Sequence, residues 1–228
     1  MFWQEDDRTI KGRSDMLDVL FDIRCRELPV DHAWALSDAL RNAAPWLDED
    51  DRIAIHEIHV AGSQNGWERP DKDATQQLLL SRRTKLIIRM PRDKVELAAG
   101  LNGIKIEVAG QPLSIGRFKT RELSKLGTLF ARHIVTETGA DENAFLGHIA
   151  ETLKTRGIRI RKALCGMLNE MSTPNGPLST RSLMLADLKT DESIELQELG
   201  IGNYQKYGCG IFIPHKDIEA VKKLADDE

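Results

Sequence analysis

Six histidines, His32, His56, His59, His133, His148 and His215, can move protons near neutral pH, because an unperturbed imidazole titrates at about 6.5. Residues 56–59 read His-Glu-Ile-His. A zinc protease helix needs its two histidines four apart, and here they are three apart within β-branched sequence. Three positions along a strand reverse the face, so no shared metal and no cofactor are expected. His32 falls in the first turn of a helix predicted over 32–41. The positive helix end there favours the neutral, base-competent imidazole, so His32 is the first candidate for general acid–base catalysis. His59 shares a strand face with Glu57 and is the second. His133 and His148, inside a predicted strand and helix, read as packing or solvent-facing groups.

A second chemistry is anion binding. Residues 200–210 carry Gly200, Gly202, Gly208 and Gly210 around Asn203, Tyr204, Lys206 and Tyr207. The loop follows a helix and precedes a strand, whereas a dinucleotide or P-loop fingerprint follows a strand and opens a helix. Glycines still let a backbone approach phosphates closely, and the tyrosines offer faces on which bases can stack. Cations are also concentrated. Between Arg82 and Lys125 there are eleven Lys/Arg against four Asp/Glu, and residues 154–162 hold five cations and no acid. On a strand predicted over 158–168, Arg159 and Arg161 alternate with isoleucines and share one face.

The elements that must hold these groups recur in one order. Strand is predicted over 18–25, 53–60, 78–89 and 104–115, with helices over 32–41, N-capped by Asp31, and 94–99. Residues 61–74 read as a long loop. The second half predicts strand 128–136, a helix from Asp141, strands 158–168 and 182–188, a helix over 193–199 and strand 210–214. Each half is β-α-β-β-α-β, the ferredoxin-like order. The expected fold is α+β, with two tandem ferredoxin-like domains over 18–116 and 128–215. A basic connector is expected over 117–127, an amino-terminal arm over 1–17 and an acidic tail over 216–228.

Composition bounds the function. The chain has 228 residues, 41% hydrophobic and 30% charged, which suits a globular chain with one or two cores. No apolar run reaches the roughly 18 residues of a membrane helix, and the acidic start lacks a secretion signal. Cys25, Cys165 and Cys209 are odd in number and far apart, so a reducing cytoplasm is expected. The net charge of −4 argues against a nucleic-acid partner only until the segregation of charge is seen. Acids gather at 48–51, 187–198 and 226–228, leaving basic stretches able to focus a positive field.

Three segments carry a family resemblance: 28–32 (Leu-Pro-Val-Asp-His), 193–202 (Ser-Ile-Glu-Leu-Gln-Glu-Leu-Gly-Ile-Gly) and 207–214 (Tyr-Gly-Cys-Gly-Ile-Phe-Ile-Pro). Together with Arg82 and Arg83 and the histidine-bearing strand, the pattern resembles the CRISPR repeat-processing endoribonucleases of the RAMP superfamily, myxobacterial-type variety, from about Asp18 to Pro214. The resemblance implies metal-independent cutting of a precursor transcript within its repeats by 2′-hydroxyl attack. It also implies retention on the crRNA hairpin beside other effector-complex subunits. It places proton transfer at His32, with His59 as substitute. RNA holding falls to Arg82, Arg83, Arg117, Lys119, Arg121, Lys125, Arg156, Arg159, Arg161, Lys162 and the loop residues Gly200, Gly202, Asn203, Tyr204, Lys206, Tyr207 and Gly208. The loop departs from its relatives in holding one lysine where they are often arginine-rich. Alternatives are a repeat-binding subunit without catalysis, a tandem RNA-recognition module, disfavoured by only 5% aromatics, and a metabolite-sensing regulatory domain.

Overall fold

The computed structural model describes residues 14–60 and 77–215. The arm as far as residue 13, the whole 61–74 loop and the acidic tail lie outside the described residues. In chain order the first half contains β1 (Met16–Arg24), β2 (Glu27–Pro29), α1 (Ala33–Ala43), β3 (Ala54–Ile55), β4 (Gln77–Leu79), β5 (Lys85–Pro91), β6 (Lys105–Val108) and β7 (Gln111–Glu122). The second half contains β8 (Leu129–Val135), α2 (Glu142–Thr155), β9 (Lys162–Met171), β10 (Leu178–Ala186), α3 (Thr190–Leu199) and β11 (Phe212–Pro214). The architecture is α+β. One antiparallel sheet runs β3-β5-β1-β7-β6 and another β11-β8-β10-β9, each pairing with its own helices.

Each sheet buries one face. In the first, Leu17, Val19 and Phe21 of β1 meet Leu86, Ile88 and Met90 of β5, and α1 closes over them with Leu36 and Leu40. In the second, Leu129, Ala131, Leu183 and Leu185 receive Phe145, Ile149 and Leu153 from α2 and Leu196 from α3. Fully burying one such side chain stabilises by about 1.5–3 kcal/mol, so two separate cores justify two layered halves.

The register of β7 decides where its cations point. Leu113 and Ile115 are buried, but pairing with β1 shifts between Phe21 and Ile23. A Cβ on Gly116 would lie 3.3 Å from the Asp22 backbone oxygen, so the irregularity sits where side-chain room is least. Beyond it the faces exchange. Phe118 packs on Phe21 at 5.4 Å between ring centroids, while Arg117, Lys119 and Arg121 are exposed on the opposite face. A bulge re-aims side chains in this way. The stretch expected as connector is therefore strand as far as Glu122. The remainder is fastened to α3. The Ser124 N–H donates to Gln197 Oε1 at 3.1 Å, Gln197 Nε2 donates to the Ser124 carbonyl at 2.7 Å, and Ser193 Oγ donates to the Leu126 carbonyl at 2.6 Å.

Several expected elements change. The 53–60 strand pairs only at β3, and 78–89 is two strands, because Ser81 and Thr84 close a turn (Ser81 N–H to Thr84 Oγ1, 3.2 Å). The 94–99 helix is a 3₁₀ segment, Arg92–Leu101. The strand expected from residue 158 begins at Lys162. Gly157, at φ +74, ends α2, with its N–H on the Lys154 carbonyl and that of Ile158 on the Leu153 carbonyl, both 3.0 Å. This is the Schellman arrangement, and it uses Ile158 for helix closure, so Arg159 and Arg161 form no strand-borne stripe. Asp31 does not cap α1. Its carboxylate accepts the Ser172 N–H at 2.8 Å, and His32 is the N-cap residue.

Candidate active site

The glycine loop is moored to the first half. The Tyr207 ring stacks on Trp34 of α1, with centroids 4.0 Å apart and planes 8° apart. Arg41 donates to the Tyr207 hydroxyl and lies over its ring. Lys206 Nζ stands 3.6 Å from Asp48 and 3.7 Å from Asp51. Gly210, at φ +68, runs so close to Ile201 that a Cβ would lie 1.9 Å from its carbonyl oxygen. Close approach explains Gly200 and Gly210 better than phosphate binding does. Tyr207 and Lys206 are likewise engaged in protein contacts. Gly202, Asn203 and Tyr204 form the exposed tip.

His32 is fully buried. Its Nδ1 donates to the Pro29 carbonyl at 2.8 Å, and its Nε2 accepts the Ile58 N–H at 3.1 Å. Both nitrogens are thus committed, which fixes the neutral Nδ1–H tautomer and leaves no lone pair or proton for a substrate. The expectation that His32 transfers protons is corrected here: the imidazole pins the start of α1 to the segment after β3 that carries Glu57 and His59.

That segment forms one wall of a recess lined by His56, Glu57, His59, Arg132, Gly208 and Ile211. His59 is the exposed imidazole among these. Surrounding protein lowers its pKa, Glu57 partly opposes this, and the Arg132 charge lowers it further, so it lies below the usual histidine range. Glu57 is buried, with Oε2 3.3 Å from His133 Nε2; His133 Nδ1 is 3.0 Å from Thr180 Oγ1. Burial raises the Glu57 pKa, but the adjacent His133 outweighs it and holds the carboxyl well below its ordinary value. The recess combines a solvent-reaching base, a half-buried guanidinium and a fixed negative charge. Such a set can take a proton from a hydroxyl and offset anionic charge building beside it. Arg132 was missed from sequence. Its neighbour His133 was read as packing, and nothing local reports that β8 crosses beneath residue 57.

The expected RNA-holding cations divide into two groups. Arg82, Arg83, Arg117, Lys119, Lys125 and Arg159 are exposed and have no ion pair among the described residues. The others are engaged. Arg121 contacts Asp18 at 2.8 Å, Arg161 binds Glu192 through both terminal nitrogens (2.6 and 3.2 Å), and Lys162 lies 3.1 Å from Asp187. Arg156 donates to the Gly200 carbonyl at 2.6 Å. The Arg161 and Lys162 partners lie in the acidic 187–198 stretch, so the two charge clusters of the sequence neutralise one another.

Comparison with known proteins adds to this geometry. A family model described as Cas6 Crispr matches residues 17–217. A CRISPR-associated endonuclease Cas6 of Myxococcus xanthus (strain DK1622) is 27% identical over 198 residues, covering 87% of this chain and 81% of its own length. Among solved structures, the product of a Cas6-related gene from Pyrococcus furiosus is 10% identical. It covers 89% of this chain and 99% of its own, at a TM-score of 0.61. A RAMP protein binding different RNA substrates is also 10% identical, covering 88% and 100%, at a TM-score of 0.59. At these identities the structural likeness is one of fold.

Proposed function

The chain belongs to the Cas6 family, and from that premise we propose that it is an endoribonuclease cutting CRISPR precursor RNA within its repeats. The observation that carries the reading is the exposed His59 imidazole beside Arg132 and above the buried Glu57, in a recess closed by the glycine loop. His59, kept neutral by its surroundings, takes the proton of a ribose 2′-hydroxyl. The freed oxygen attacks the adjacent phosphorus, an O2′–P bond forms, and the P–O5′ bond breaks. Solvent protonates the leaving 5′ oxygen, giving a 2′,3′-cyclic phosphate and a 5′-hydroxyl. Arg132 offsets the extra charge on the pentacoordinate phosphorus, and the Glu57–His133 pair holds the wall in place. No step is assigned to a metal.

Arg82, Arg83, Arg117, Lys119, Lys125 and Arg159, with the loop tip Gly202, Asn203 and Tyr204, hold the repeat hairpin through phosphates and A-form shape. We place the cut at the hairpin base, with the product staying bound to the protein among the other subunits of an effector complex in the cytoplasm. Incubating the protein with a repeat RNA in the presence of a chelator tests this: a single cut leaving a cyclic phosphate is expected. The sealed state of His32 favours one second reading, a repeat-holding subunit without catalysis, and tight binding with no cut under any condition would select it.

A further inference from the structure

The recess is built across the boundary of the two halves. Glu57 belongs to the first, whereas Arg132 and His133 belong to β8 of the second. Along an unbroken strand these two neighbours would point to opposite faces. Pairing with β10 slips here: Arg181 faces Ile134 and Leu183 faces Ala131, so Ser182 stands opposite both. Such a bulge re-aims a side chain. Arg132 lines the recess with Glu57, while His133 Nε2 stands 3.3 Å from Glu57 Oε2. Behind them, His133 Nδ1 lies 3.0 Å from Thr180 Oγ1 of β10, itself 3.4 Å from the Asn169 carbonyl of β9. The His133 carbonyl accepts the Gly210 N–H. Thr180 is fully buried and His133 nearly so.

Burying a carboxylate and an imidazole costs desolvation that apolar side chains of the same size would avoid. A chain of three polar groups behind an exposed base therefore calls for a role beyond joining the halves. His59 supplies one. When it takes the 2′-hydroxyl proton, a positive charge appears beside Arg132, with His32 and His133 facing the same space, and Glu57 is the carboxylate that opposes them. Glu57 also faces the Cys209 thiol, whose pKa is pushed up to about 12 by burial and by that carboxylate, so the thiol stays neutral. We propose that His133 and Thr180 are positioning residues for cleavage, holding the Glu57 carboxylate where it steadies the imidazolium that His59 becomes. Each acts through Glu57, and neither is exposed enough to touch RNA. The inference rests on the nuclease reading and adds to it the residues that tune its base.

The test is single-turnover cleavage at saturating repeat RNA, followed across pH, with Thr180→Val, Thr180→Ser, Glu57→Gln and the double variant Thr180→Val/Glu57→Gln. Thr180→Val should lower the plateau rate about tenfold, short of the hundredfold or more for losing the base itself. The serine hydroxyl should restore it. The Glu57 carboxylate raises the His59 pKa against burial and Arg132, so loosening its hold leaves a weaker base. The acid limb of the profile should then move to lower pH in Thr180→Val, and further in Glu57→Gln, with RNA affinity at the wild-type value. Within Glu57→Gln, adding Thr180→Val should cost no further rate, as for residues that act as a unit. Thr180→Ala is read in the same way if valine unfolds the protein. An unshifted acid limb, or rate losses that multiply in the double variant, overturns the positioning role and leaves Thr180 a packing residue, while wild-type cleavage keeps the nuclease reading standing. A wild type that binds repeat RNA and never cuts it removes both.

Discussion

A histidine at a helix start, a buried histidine and an exposed one have different consequences here, and each is measurable. His32→Ala removes the partners of the Pro29 carbonyl and the Ile58 N–H, at about 1–3 kcal/mol for each buried group left unpaired. Urea denaturation should record that loss, while single-turnover cleavage per folded molecule stays near wild type. His59→Ala should do the reverse, lowering the cleavage rate about a hundredfold or more with the denaturation midpoint unchanged. Because the His59 pKa lies below the usual range, the rate should hold its plateau below about pH 6.5 before the base protonates. His56 differs again. Burial drives its pKa down to about 3 despite the nearby Asp18 carboxylate. The unfolded chain then binds a proton below about pH 6.5 that the folded chain refuses, so this stability is present above that pH and falls as pH drops, by up to about 1.4 kcal/mol per unit. His56→Leu should flatten that slope in urea denaturation across the window. The spacing of residues 56–59 put His56 and His59 on opposite faces of a strand, whereas the strand is Ala54–Ile55 alone and both histidines line the recess. That His32 lies beneath Ile58 was illegible, because the contact joins positions 26 residues apart.

At the scale of elements, the glycine loop is a fitted part whose geometry ranks its own glycines. Gly210→Ala puts a Cβ at φ +68 and 1.9 Å from the Ile201 oxygen. A left-handed conformation and overpacking together cost about 2–5 kcal/mol. Gly202→Ala, at φ +82 but with nothing within 4 Å, costs only the conformational part, about 1–2 kcal/mol. Thermal denaturation of the two variants should separate them in that order. The sequence pattern located this loop between a helix and a strand, correctly, and assigned its glycines to ligand approach. The structure assigns Gly200 and Gly210 to backbone approach, which no local motif distinguishes. The strand expected at 158 failed for a similar reason: Ile158 completes a helix cap whose partner, Leu153, is hydrophobic for its own core. Periodicity counts apolar positions without knowing which closure they serve.

Across the whole molecule, the two halves are joined by buried polar contacts as well as by chain. Arg89 of β5 reaches the Gln197 and Phe212 carbonyls while held by Asp18. The order of elements and both cores were legible because helical and strand periods are local. The charge pattern was half legible: segregation along the chain is real, but folding returns Arg161 and Lys162 to the acids at 187–192. Arg117→Ala and Lys119→Ala should each lower the slope of log affinity for repeat RNA against log salt by about one. Arg161→Ala, already paired with Glu192, should leave that slope unchanged. The central claim, strand cleavage by the RNA's own 2′-hydroxyl at the His59–Arg132 recess, is tested most directly with a repeat RNA carrying one 2′-deoxy nucleotide at the cut. The account predicts binding equal to that of unmodified RNA and no cleavage, while the unmodified RNA is cut with chelator present; cutting of the 2′-deoxy substrate at the same bond would contradict it.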